Sequence, residues 1–347
     1  GRSLTRPELS VVVSYSKLAL KSALANSDIA DNRYVAKAAY LAFPEVLRND
    51  HSAQIDNHQL HREIVATQVA GDIVNRMGIT FVHRMEQATG ESPETIAKAY
   101  IACRDLFGLE AQWAKIEALD YAINSELQYQ LFSQLIRLVR RSSRWLLRDQ
   151  RSGLDPEQVV TSFKSTAAFL QSNISEYLHG DQLEVWHNKV QSYINEGVPR
   201  DLAEFAAGAR YFYTTFSIAE VLRNSNASIE KVTELYFGLG EQLELNWFAD
   251  QILQMHVESY WQAMARESFR DELELQQCVL TQQIANTGDL NEPTAFIFEN
   301  WTQQYAPYID RWQHMMAELR CVSEFDIAMF PVAIRELLDL SQASRTS

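Results

Sequence analysis

Asn57-His58-Gln59-Leu60-His61-Arg62-Glu63-Ile64-Val65-Ala66-Thr67-Gln68-Val69-Ala70-Gly71-Asp72-Ile73-Val74-Asn75-Arg76-Met77-Gly78-Ile79-Thr80-Phe81-Val82-His83-Arg84-Met85-Glu86 is the stretch that decides the fold. Leu60, Ile64, Val69, Ile73 and Met77 recur every four or five positions, which lays one apolar stripe along a helix. Ala66, Ala70 and Gly71 lie close together on that helix, small enough to let a neighbouring backbone approach. Arg62, Thr67, Asn75, Arg76, Thr80, His83 and Arg84 add hydrogen-bonding groups, more than a generic amphipathic helix carries. The spacing predicts a helix from about Ser52 to Met77, a break or bend at Gly78, and a continuation over Ile79–Thr89 to a stop at Gly90.

The whole composition points the same way. Among 347 residues there are only 12 glycines and 8 prolines, so obligatory turns are few and long helices are expected. Valine and isoleucine do not alternate in runs bounded by turn residues, so no strand is expected. The predicted class is all-α, one or more multi-helix bundles with long helices and no sheet. A net charge of −14 gives no electrostatic reason to hold a polyanion, and nucleic acid is excluded as an expected partner. Cys103, Cys278 and Cys321 form no metal or disulfide pattern and suit a reducing compartment. The most apolar segment, Leu9–Ala25, is interrupted by Lys17 and Lys21, so no membrane span is expected. With no signal peptide and no initiating methionine, the expectation is a cytoplasmic piece of a longer polypeptide.

Punctuation residues divide the rest. Thr5-x-x-Glu8 is a capping box with Pro7 in the first turn, which starts a helix running to about Ala25. A second helix is predicted over Asp31–Phe43, stopping at Pro44. Further helices are predicted from Ser92-Pro93-Glu94 to near Gly108, over Leu109–Asn124 and over Glu126–Gln150. Arg151-Ser152-Gly153-Leu154-Asp155-Pro156 is the clearest linker, separating a first bundle, 1–150, from a second, 151–347. In the second, helices are predicted from Asp155-Pro156 to His179, over Asp181–Glu196, over Pro199–Arg223 with a break at Gly208, and over Ser228–Phe237. A long stretch over Gly240–Asn286, bent near Phe269, and helices from Pro293 to about Leu340 complete it, before a frayed tail at Ser341–Ser347.

Several residues invite a chemical reading and each has a plainer one. Glu176-x-x-His179 and Glu184-x-x-His187 resemble half of a di-iron set. They are only eight residues apart across Gly180-Asp181, which places them at adjacent helix ends, and no metal is assigned. His58 and His61 lack the His-Glu-x-x-His spacing and suit a surface or interhelical hydrogen-bonding role. Gly238-Leu239-Gly240 lacks the third glycine and the preceding strand of a dinucleotide fingerprint, and is read as a helix break. Phe205, Tyr211, Phe212, Tyr213 and Phe216, at helical spacing with Leu202, Ile218 and Leu222, are read as core. No catalytic, cofactor-binding or metal residue is assigned. Arg62, Asn75, Arg76 and Arg84 are read as partners of Glu45, Asp56, Glu63 and Asp72. Arg62, Glu63, Asn75 and Arg76 are expected to form an interhelical polar network, with Thr80 and Arg84 as further structural or interface candidates.

Residues 57–86 resemble a segment of the large bacterial NAD-specific glutamate dehydrogenases, in the helical region that follows their catalytic domain. Gly1-Arg2-Ser3-Leu4-Thr5-Arg6-Pro7-Glu8-Leu9-Ser10-Val11-Val12-Val13-Ser14-Tyr15-Ser16-Lys17 is similar to the junction where that region begins. Ala42-Phe43-Pro44, Ile116-Glu117-Ala118-Leu119-Asp120 and Arg144-Trp145-Leu146-Leu147 also match, and the likeness fades after about residue 150. The resemblance implies that the whole polypeptide oxidatively deaminates glutamate to 2-oxoglutarate and ammonia with NAD as cofactor. It places the catalytic lysines, the glutamate-binding residues and the dinucleotide-binding domain upstream, so this part is implied to be inactive alone. It would support the catalytic domain of the same polypeptide, homo-oligomer assembly or regulation. Two rivals stand beside it: a stand-alone all-α scaffold, and an independent all-α enzyme with an acidic pocket.

Overall fold

Thr5 starts the first helix as its capping box requires: its backbone N–H donates to the Glu8 carboxylate at 2.8 Å, and its hydroxyl faces the Glu8 N–H. The computed structural model describes residues 4–149, 153–322 and 326–344. Among these residues there is no strand, and the chain is a succession of helices. They are α1 (Arg6–Ala25), α2 (Arg33–Ala36), α3 (Glu45–Asp50), α4 (Ser52–Asp56), α5 (His61–Met77), α6 (Phe81–Thr89), α7 (Pro93–Leu106), α8 (Leu109–Glu117) and α9 (Ser125–Asp149). Then come α10 (Pro156–Tyr177), α11 (Gly180–Asn195), α12 (Arg200–Phe212), α13 (Thr215–Arg223), α14 (Ile229–Gln242), α15 (Leu245–Gln254), α16 (Tyr260–Thr287), α17 (Thr294–Gln304), α18 (Ala306–Arg320) and α19 (Met329–Ala343).

Two compact units form. Unit 1 takes in Gly1–Ala168 and Ser192–Tyr213, and unit 2 takes in Phe169–Gln191 and Thr214–Ser347. Of the expected linker Arg151–Pro156, Arg151 and Ser152 lie outside the described residues, as do Arg345–Ser347 of the expected tail; Ser341 to Ala343 continue α19.

In unit 1, α1 packs along α5, while α7, α8 and α12 pack on α9. Leu127, Leu131, Leu135, Leu138 and Leu146 of α9 are buried at helical spacing, with Ser142 and Ser143 between the last two. Small residues there let α7 come close, and the Ser143 hydroxyl donates to Cys103 Sγ at 3.6 Å. In unit 2, α16 is the central helix, with α13, α14, α15 and α19 packed on it. Trp312, fully buried, donates its indole N–H to the Leu243 carbonyl at 2.8 Å. Its ring meets Phe248, which also meets Phe330, each at 5.8 Å between centroids.

Several expected helices differ, most for a local reason. Asp31–Phe43 is not one helix, because the Asn32 side chain accepts from the N–H groups of Tyr34 and Val35 and starts a new one. Ile29–Asp31 and Lys37–Ala42 on either side are 3₁₀ turns. The motif helix is interrupted at Asn57–Leu60, where the Asn57 amide donates to the Ala53 carbonyl and His58 Nδ1 accepts from the Leu60 N–H. Leu60, caught in that interruption, is exposed and does not join the apolar stripe. Gly78, at φ 83°, then ends α5 as expected. The break in Pro199–Arg223 falls after Phe212 and not at Gly208, over which the Phe212 ring folds. The long stretch after Gly240 is cut before α16 by a second capping box, Ser259 with Gln262.

Gly238-Leu239-Gly240 is not a break. It lies inside α14. A Cβ on Gly238 would stand 2.8 Å from the Phe298 ring, and one on Gly240 would stand 3.0 Å from the amides of Asn246 and Gln277. These glycines make room for neighbouring helices. Gly71 does the reverse of its expected role: a Cβ there would meet nothing within 4 Å, while Ala66 and Ala70 are buried.

Candidate functional site

Arg62 and Arg76 stand at the two ends of α5, about 21 Å apart at 1.5 Å per residue, so a single network cannot join them. Arg62 Nη1 donates to the Ser27 carbonyl at 2.8 Å and Nη2 pairs with Asp31 at 3.0 Å. It ties α5 to the turn after α1, at a position 41% exposed. Arg76 pairs with Glu117 of α8 and lies over the buried Trp113 ring at 4.9 Å. Glu63, Asn75, Thr80 and Arg84 are exposed. The expected partners Glu45, Asp56, Glu63 and Asp72 are therefore not those of Arg62 and Arg76. Asp56 instead accepts from the Tyr40 hydroxyl at 2.8 Å.

The buried polar centre of this region lies on the seam of α5 and α7, and the sequence reading named only one of its members. Asp72 accepts from the Tyr100 hydroxyl at 2.9 Å and from Arg104 Nη1 at 3.0 Å. Arg104 also donates from Nε to Asp105 at 2.7 Å and pairs with Glu110 at 3.4 Å. Its side chain is 14% exposed. Burial works against the guanidinium charge, but Asp105, Asp72 and Glu110 outweigh it and raise its pKa. Tyr100 is fully buried, and burial first, then Asp72, pushes its phenol above the ordinary range. Tyr34 is raised by burial and by Asp105 beside it. Together Tyr34, Lys37, Leu41, Arg104, Asp105 and Glu110 line a cleft of about 240 Å³. The signal that could have found this centre is Tyr100-x-x-x-Arg104, one helical turn apart on a helix otherwise buried all round. Asp72 of α5 and Glu110 of α8, meeting one guanidinium on α7, fix how these helices dock. Both raised phenols keep their protons near neutral pH, so neither is poised for acid–base work.

The histidines take local bonds, as their spacing suggests. His61 Nδ1 lies 3.1 Å from the Ile55 carbonyl and, with His58, closes the turn between α4 and α5. Glu176, His179, Glu184 and His187 are all exposed, at the end of α10 and along α11. Among the described residues no group of three or more His, Cys, Asp or Glu is placed to hold a metal. In unit 2, His179, Glu234, Glu241, Glu299, Phe298 and Thr302 line an open cleft of about 640 Å³. Of the aromatic cluster, Tyr211, Phe212 and Phe216 are buried as core residues, and Phe205 packs on Phe212 at 5.2 Å. No helix among the described residues is long and apolar enough to cross a membrane.

Residues 1–339 match the family described as glutamate dehydrogenase, C-terminal. The chain is 40% identical over 345 residues to an NAD-specific glutamate dehydrogenase of Pseudomonas aeruginosa, covering 99% of this chain and 21% of that protein. It is 36% identical over 344 residues to one of Halomonas elongata and 26% identical over 344 residues to one of Mycobacterium tuberculosis, with the same coverage on both sides. The chain thus spans about a fifth of the length of these relatives.

Proposed function

Because the chain belongs to the glutamate dehydrogenase C-terminal family, we propose that it is the non-catalytic helical region of a longer NAD-dependent enzyme that converts glutamate to 2-oxoglutarate and ammonia. The observation that carries this reading is a match that runs through nearly the whole chain while covering only 21% of each relative. Those relatives are named for a reaction and a cofactor, and the chemistry belongs to the proteins as wholes. The internal features agree. The one glycine pair that hinted at a phosphate loop is occupied by packing against Phe298 and Gln277, and Arg104 is already taken up by pairs with Asp72 and Asp105. The region would brace the catalytic domain of the same polypeptide and contribute to a homo-oligomer, in an enzyme of amino-acid catabolism in the cytoplasm. Cys103, Cys278 and Cys321 form no disulfide, which is consistent with a reducing compartment.

The test compares the intact dehydrogenase with a version lacking this region, and both with the 347-residue chain. The shortened enzyme should lose thermal stability or assembly, while the chain alone takes up no NAD in isothermal titration and produces no NADH from glutamate. Micromolar NAD binding by the chain alone would overturn the non-catalytic assignment. A shortened enzyme of unchanged stability, assembly and turnover would overturn the bracing role.

A further inference from the structure

Helix α1 is apolar on two opposite sides. One side carries Val13, Leu20 and Leu24 against α5, and Leu20 and Leu24 are buried. The other carries Val11, Tyr15 and Leu18. The steps of four and three residues between them set these side chains along one line at 100° per residue. They are 53%, 69% and 58% exposed. Val12 flanks the line at 37%, and Leu4, just ahead of the N-cap, is 57% exposed. Single exposed apolar residues are ordinary, but four within two turns of one helix, with Leu4 ahead of its N-cap, form a patch of the kind that marks an interaction site. A solvent-facing side of this helix would carry charges. Between Val11 and Leu18 this one carries only Ser14 beside its apolar residues.

We propose that this outer stripe of α1 is the seat of the preceding portion of the same polypeptide. The inference rests on the place proposed above for the chain within a longer dehydrogenase. Two observations select this occupant. The relatives extend over almost four times more sequence beyond the matched region, and the family is a C-terminal one, so that sequence lies on the α1 side. The patch is also small. From Val11 to Leu18 it runs about 11 Å along the helix, and with its flanks it offers on the order of 400 Å² against the roughly 800 Å² per partner of a stable association between separate molecules. A tethered neighbour needs less area, because the linker supplies a high effective concentration. The chemistry of the stripe, aliphatic with one phenol, calls for an apolar groove with a polar rim.

Val11→Cys and Leu18→Cys test this in the intact dehydrogenase and in the 347-residue chain, with maleimide modification mapped by mass spectrometry and each rate normalised to the denatured protein. Both positions should react freely in the chain alone and at least tenfold more slowly in the intact enzyme. Equal rates in the two would overturn the proposal. Protection in the chain alone that grows with its concentration would also overturn it, and assign the stripe to a second copy. Leu18→Lys gives an independent reading: it should leave the melting temperature of the chain unchanged and lower that of the intact enzyme, and no difference in the intact enzyme would count against the stripe. Failure of the bracing role is read elsewhere, by the truncated enzyme, so the two can fail separately.

Discussion

Arg104 is held by carboxylates on Asp72, Asp105 and Glu110, so its removal leaves the two mostly buried acids, Asp72 and Asp105, without their guanidinium, while Glu110 stays in solvent. Arg104→Ala should cost about 3–5 kcal/mol, the range for breaking a buried pair from one side. Arg76 pairs with one half-exposed glutamate and covers the Trp113 ring, so Arg76→Ala should cost only about 1–2 kcal/mol. Denaturant midpoints of the two variants rank them, and a larger loss at Arg76 would reverse the assignment of the polar centre. Sequence alone made Arg76 the stronger candidate, because it shows that a cation sits on a helix but not which neighbour faces it. Titration probes the same helix, α7, where Cys103 meets Ser143 of α9. Burial pushes the Cys103 thiol from its ordinary value of 9.0 up to about 12, and Tyr100 is raised too. Below pH 9 both the folded and unfolded chains keep the thiol proton, and the contribution is whole. Toward pH 12 the unfolded chain ionises first, so stability falls with rising pH by up to about 1.4 kcal/mol per unit for each such group. Cys103→Ala should flatten the slope measured between pH 9 and 10.5, and an unchanged slope would show that the thiol does not contribute.

Helix α14 shows what composition conceals at the scale of an element. Two glycines in three residues signal a break by every local rule, yet α14 runs through both because Phe298 and Gln277 press on them from other helices. Gly238→Ala should therefore destabilise the protein by about 1–3 kcal/mol through overpacking. Gly71, in the middle of α5 with open space where a Cβ would sit, should give the opposite sign. Gly71→Ala should stabilise by about 0.5–1 kcal/mol, since only the helical entropy penalty is removed. Thermal melts of the two variants moving in the same direction would refute the contrast. Helix starts were more legible than helix interruptions for a related reason. Thr5, Ser92 and Ser228 cap through side chains three residues from their partners, inside the window a sequence pattern covers. The interruption at Asn57–Leu60 arises from side chains competing with the helix for backbone groups, and the apolar stripe through Ile64 to Met77 hides it.

For the whole molecule, the all-helical class followed from scarce glycine and proline, and the family from residues 1–90, but the division of the chain depends on packing partners remote in sequence. Residues 1–150 read as a bundle that ends at a turn. Within unit 1, α12 lies on α9, the helix that ends near that turn, and Leu202, Ala203, Ala206 and Ala209 of α12 are all buried. Lys115 of α8 pairs with Asp201 in the first turn of α12 at 2.6 Å, and this contact lowers the Asp201 pKa. Removing α12 takes this buried apolar face away from α9. A polypeptide of residues 1–150 should then remain helical by circular dichroism but unfold with a shallower, less cooperative transition than residues 1–213. The lost apolar contact removes buried surface, and the denaturant slope scales with the surface exposed on unfolding. The midpoint should fall as well. If 1–150 instead unfolds as steeply and as late as 1–213, the turn at Arg151–Pro156 bounds a self-sufficient bundle, and α12 is an accessory to it. A bundle that needs α12 cannot be shortened at residue 150 without loosening α9, and with it the α7 helix that packs on α9 and holds Arg104.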